Sequence, residues 1–122
     1  MSEAVKCYRV TWDEEERIAR TEWLPGAVCR LEEAQAVTDA IRDMGHGAVP
    51  LYVDMRGMAK LERSAREHFV SDSGGVKAIA LVAGSPVTKM MANFFIGMRR
   101  MSVPIQMFTD EAAAVTWLQD HR

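Results

Sequence analysis

The chain has 122 residues, 48% of them hydrophobic and 26% charged, with a formal net charge of -2; that is one domain around a single core, and its scattered basic residues, with Arg99 and Arg100 as the one adjacent pair, exclude a nucleic-acid-tracking surface. No stretch of about eighteen apolar residues is present to span a membrane, and the opening MSEAVKCYRV is not read as a secretory signal. Two cysteines, Cys7 and Cys29, make neither a disulfide framework nor a metal cluster, so both are expected as thiols in a reducing cytoplasm.

VKCYRVTW (5–12) alternates, with Val5, Cys7 and Arg9 on one side and Lys6, Tyr8, Val10 and Trp12 on the other. It reads as a half-buried strand. DEEER follows as a polar turn, and RIARTEW (17–23) alternates again, which predicts an antiparallel hairpin. LPGA breaks the pattern at Pro25 and Gly26. From Leu31 the period changes: Leu31, Ala34, Val37, Ile41 and Met44 form one helical stripe. Glu32 and Glu33 suit its first turn, and Gly45 suits its end.

AVPLYVDM (48–55) is a short apolar run of the kind covered on both faces in a parallel sheet. A corner at Gly57 leads to a helix over 62–72, with Ala65, His68 and Phe69 on one side. VKAIALVA (76–83) is the most hydrophobic strand and is placed centrally. Ser85 then caps a helix that starts at Pro86. Along it run Val87, Met90, Met91, Phe94, Phe95, Met98 and Met101, read chiefly as a core stripe, with an adaptable interaction face as the alternative. Of the adjacent Phe94 and Phe95, one should face the sheet and the other a partner. VPIQMF (103–108) is the last strand, and Thr109 or Asp110 caps a final helix with Ala114, Trp117 and Leu118 inward.

The predicted architecture is therefore α/β: a mixed five-stranded sheet with an N-terminal antiparallel hairpin, parallel β-α-β units and four helices. In such a sheet ligands favour the C-terminal strand ends. Asp54 and Arg56, Gly84 and Ser85, and Thr109 and Asp110 fall there. Gly84 and Ser85 either offer free backbone N–H groups to an anion or simply begin a helix, and the second reading leads. VAGSP lacks the Gly-Lys-Ser/Thr of a phosphate-binding loop. No nucleophile elbow is present, and His46, His68 and His121 share no metal-ligand spacing, so no catalytic residue, metal or cofactor is assigned. His68 is expected as a packed, hydrogen-bonded helix residue, and Asp54 as a structural hydrogen-bond acceptor.

LYVDMRG, AIALVAGSPVTKMMANFF and VPIQMFTDEAAAVTWL, in this order, resemble the STAS / SpoIIAA-like superfamily over most of the chain from Leu24 onward. The likeness is to the bacterial STAS/SEC14-like domains and, more distantly, to anti-sigma-factor antagonists. In those antagonists an Asp-Ser-Ser/Thr-Gly motif opens a helix and is phosphorylated on its second hydroxyl by a partner kinase. The corresponding residues here are Glu62, Arg63, Ser64 and Ala65, of which Ser64 keeps the hydroxyl and Arg63 and Ala65 depart from the pattern. The resemblance implies a non-enzymatic bacterial regulatory or protein-interaction domain, cytoplasmic, with Ser64 as the phosphosite candidate. Trp12, Trp23, Phe94 and Phe95 are too many aromatics for one small core, so a homodimer is expected. The alternative is a binding domain for a small anionic or lipid-like ligand in the crevice at Asp54, Arg56, Gly84 and Ser85. An exposed apolar patch would favour the first, a pocket of about 300 Å³ or more the second.

Overall fold

A computed structural model describes residues 6–96 and 103–122. Val5, Arg99, Arg100, Met98 and Met101, which figured in the expectations above, lie outside the described residues. The element order is β1 (Tyr8–Asp13), β2 (Ile18–Trp23), β3 (Ala27–Cys29), α1 (Leu31–Asp43), β4 (Pro50–Asp54), β5 (Met58–Leu61), α2 (Arg63–Ser71), β6 (Ala78–Val82), α3 (Pro86–Ile96), β7 (Ile105–Phe108) and α4 (Glu111–Gln119).

The main sheet has five strands in the order β1-β2-β4-β6-β7. β1 and β2 form the antiparallel hairpin, with Val10 opposite Thr21. The other neighbours are parallel, with Thr21 beside Val53, Val53 beside Leu81 and Leu81 beside Met107. The expected sheet is present. Its centre, however, is β4 rather than the more hydrophobic β6, which lies one place in from the edge. All five residues of β6 are nonetheless buried, because helices cover both of its faces.

Strand alternation decides which side chain meets which layer. Ala19, Leu51, Ile79 and Leu81 meet Ala34, Val37 and Ile41 of α1, Ala65 of α2, and Ala92 and Phe95 of α3. On the opposite face Ile18, Tyr52, Ala80 and Val82 meet Ala114 and Leu118 of α4. One helix cannot cover a five-stranded face, so beyond Ile18 the β1–β2 part of that face is left to polar side chains, among them Arg9, Thr11, Arg20 and Glu22.

The helix ends follow their capping chemistry. Glu33 accepts from the Arg30 N–H at 2.9 Å, and Gly45 takes the positive φ of 73° that lets the chain leave α1. Ser85 Oγ accepts from the Thr88 N–H at 3.1 Å, and Asp110, not Thr109, accepts from Ala113 at 2.9 Å to start α4.

Two strands were not expected. β3 and β5 form a separate two-stranded parallel sheet, with Cys29 beside Leu61. Each is too short to show alternation, and each is satisfied by the other. Their approach depends on Gly57, whose carbonyl accepts from the Gly26 N–H at 2.8 Å. Cys29 is fully buried in β3, and burial pushes its thiol up to about 12. Both cysteines are free thiols.

Candidate functional site

Asp54 is the last residue of β4, and the chain turns immediately after it. Its Oδ1 accepts from the Arg56 backbone N–H and from Arg56 Nε, both at 3.0 Å, and its Oδ2 accepts from Arg56 Nη2 at 2.8 Å. Burial opposes ionisation of Asp54, but the Arg56 guanidinium and N–H outweigh it and hold the carboxyl below its ordinary value. Gly84 lies against this pair: a Cβ there would meet Arg56 Cγ at 3.3 Å.

Asp54 and Arg56 form one wall of a shallow polar cleft of about 400 Å³ on the part of the sheet that α4 leaves uncovered. Arg9 and Glu22 pair across its far side at 3.4 Å. Arg20 crosses its floor, held by Asp13 at 2.9 Å and Glu111 at 3.0 Å, with its guanidinium carbon 4.7 Å from the centre of the Tyr52 ring. Burial, reinforced by the Glu111 and Asp54 charges, pushes the Tyr52 phenol up to about 12. Each of the three arginines of the cleft already faces a carboxylate.

Ser85 does not line this cleft. The N–H groups of Gly84 and Ser85 both donate to Thr88 Oγ1, at 3.1 and 2.9 Å, and the Thr88 hydroxyl reaches back to the Ser85 carbonyl at 3.1 Å. Of the two readings of Gly84 and Ser85, the geometry agrees with the leading one, an ordinary helix start: Thr88 is buried and takes up both N–H groups. The structure brings Asp54, Arg56 and Gly84 together and turns Ser85 into its own helix. Arg20, Tyr52 and Glu111 were missed, since they come from three elements that only the fold assembles. Thr88 was legible as a hydroxyl three residues after a capping serine.

A second feature lies on the helical side. Ser64 is exposed in the first turn of α2, where no acidic residue stands. Arg63 is ion-paired with Glu67 at 3.1 Å. The α3 stripe divides in two. Thr88, Ala92 and Phe95 face inward, whereas Val87, Met90 and Phe94 are 49%, 67% and 38% exposed. The core-facing reading therefore fails for Val87, Met90 and Phe94 and holds for half-buried Met91 and for Phe95, because α3 turns only one arc toward the core. Phe95 faces the sheet and Phe94 faces out, as expected. Trp23 is buried, and Trp12 stacks on His46 at 3.8 Å, so of the four aromatics that pointed to a dimer Phe94 alone is exposed.

His68 Nε2 lies 2.9 Å from Thr38 Oγ1, the packed role expected for it. Among the described residues no cluster of three His, Cys, Asp or Glu could hold a metal ion, and no helix is long and apolar enough to cross a membrane.

No curated protein matches the chain. A solved structure, an uncharacterised protein of the DUF3478 family with a SpoIIAA-like fold from Shewanella loihica PV-4, is similar at a TM-score of 0.65 and 12% identity, over 97% of this chain and 98% of that one. At that identity the likeness carries the fold, which is SpoIIAA-like. The profile of a domain of unknown function, DUF7793, matches residues 11–122, and the chain belongs to that family.

Proposed function

We propose that the protein is a non-enzymatic regulatory domain that works by protein–protein interaction through the outer face of α3, and that a second copy of the chain docks there. The observation that carries this is the exposed stripe of Val87, Met90 and Phe94. Contiguous apolar surface of this kind marks interaction sites, and methionine adapts to a partner surface. Lys89 is the one charged residue in α3, and Arg66 of α2 lies over the Phe94 ring, so the face carries few charges for two copies to bring together.

Methionine-methyl NMR with a soluble paramagnetic agent tests the reading. The Met90 methyl should lose its relaxation by the agent as protein concentration rises, while that of buried Met58 stays unaffected throughout. A Met90 methyl equally accessible at every concentration contradicts it.

The polar cleft at Asp54 supports a second reading, a small-ligand site, since about 400 Å³ is in the range of such pockets. An anion there must compete with Asp54, Glu22 and Glu111 for arginines already paired. The interaction reading therefore leads.

A further inference from the structure

Alternation and register lay out the polar face of the sheet as two rows across β1, β2 and β4. Arg9, Glu22 and Asp54 form one row, and Thr11, Arg20 and Tyr52 the other. Tyr52 is the buried member of the cleft that these residues line, at 4% exposure. Its ring packs with Ala114 and Leu118 and lies under the Arg20 guanidinium. Among the described residues its hydroxyl has no hydrogen-bond partner, and it is not among the side-chain atoms sealed from solvent, so the cleft is its opening. A phenol that burial pushes up to about 12 keeps its proton, and it can both donate and accept. A polar group that no protein atom serves must be served from the cleft.

The other polar atoms of the cleft select for charge and geometry. Three arginines and three carboxylates line it, so it offers no net charge to an anion or a cation. Their ion pairs leave atoms of both kinds over. Arg56 gives Nε and Nη2 to Asp54 and keeps Nη1. Glu22 and Glu111 each accept from an arginine through Oε1 and keep Oε2. A hydroxyl donates once and accepts twice, so a molecule bearing several hydroxyls meets such donors and acceptors without breaking an ion pair.

We infer that the cleft binds a neutral monosaccharide, whose hydroxyls bond to Tyr52, to Arg56 Nη1 and to the spare carboxylate oxygens of Glu22 and Glu111. A volume of about 400 Å³ is in the range of small-molecule sites. The inference rests on the reading of the cleft as a small-ligand site and is independent of the α3 face.

The experiment uses the full chain with carbon-13 at the ε ring carbons of its two tyrosines, titrated with D-glucose, D-galactose and D-mannose. The Tyr52 signal should shift saturably in the millimolar range with at least one of the three. The Tyr8 signal should stay, because that ring packs beside Trp23 on the opposite face of the sheet. Tyr52→Phe keeps the ring and removes the hydroxyl, so it should keep the fold and bind the same sugar about fivefold more weakly. The Arg20 Nε–H signal reports binding in both proteins. Inorganic phosphate and tetramethylammonium are the charged probes. The absence of a saturable sugar shift overturns the inference, as does equal sugar binding by Tyr52→Phe. If a charged probe then shifts Tyr52 where the sugars do not, the cleft is a small-ligand site of other chemistry; if no probe shifts it, that reading falls as well.

Discussion

The Arg66 guanidinium carbon lies 4.1 Å from the centre of the Phe94 ring, a cation–π contact that ties α2 to the exposed face of α3. With Arg63 paired to Glu67, both arginines that flank Ser64 in sequence are already engaged. The first turn of α2 has no acid of its own to meet the helix dipole. A negative charge at position 64 is therefore served by the N-terminal N–H groups and the dipole. Ser64→Asp should raise stability by about 0.3–1 kcal/mol. Urea unfolding measures it, and a lowered midpoint would show that Glu62 and Glu67 repel the added charge more than the helix start attracts it.

Gly57 is fixed by backbone, not by side-chain packing. A Cβ there would stand 2.5 Å from the Trp23 carbonyl oxygen and 2.6 Å from the Leu24 carbonyl carbon. Neither atom can move without disturbing the end of β2 or the Gly26 turn. Gly57→Ala should cost at least the upper part of about 1–3 kcal/mol. It should also speed amide exchange at Gly26, whose N–H donates to Gly57. Wild-type stability in this variant would mean that the corner is loose.

Asp13, Asp54 and Asp72 all have carboxyls held below their ordinary value. For Asp13 the Glu16 N–H is the main cause, and for Asp72 the Gly74 N–H; for Asp54, Arg56 prevails over burial. Each folded-state value lies below the unfolded one, so each contributes stability that is fully present above about pH 3.9 and is lost as the pH falls through the folded value. Asp54→Asn should cost about 1–2 kcal/mol near neutral pH, a figure reduced because Arg56 is half exposed. The same variant should lose less stability than the wild type between about pH 6 and about pH 3. Urea midpoints at the two ends decide it: equal losses would remove Asp54 from the acid response.

The sheet, the four helices and most of their ends were legible because periodicity and capping are local. Leu31 to Met44 declares α1 on its own spacing, and Ser85-Pro86 declares the start of α3. β3 and β5 were not legible, since three or four residues carry no period and their pairing is a tertiary fact. The division of the α3 stripe was hidden for a related reason. An apolar residue every three or four positions marks a face, but a helix rich in Met and Phe is apolar on nearly every side, and only its seat beside β7 shows which arc is covered. At the strand ends the sequence pointed to Asp54 and Arg56, whose pairing is local. It could not point to Arg20, Tyr52 and Glu111, which the sheet register and α4 bring to the same cleft.

The central claim is that α3 docks a second copy of the chain through Val87, Met90 and Phe94. Sedimentation equilibrium of the wild type and of Met90→Glu, at tens of micromolar, tests it most directly. Met90 is largely exposed, so the substitution leaves the fold intact and places a charge in the middle of the face. The wild type should sediment at twice the chain mass of 13.7 kDa and Met90→Glu at the single-chain mass. A wild type that stays at 13.7 kDa throughout, or a dimer that Met90→Glu leaves unchanged, contradicts the account.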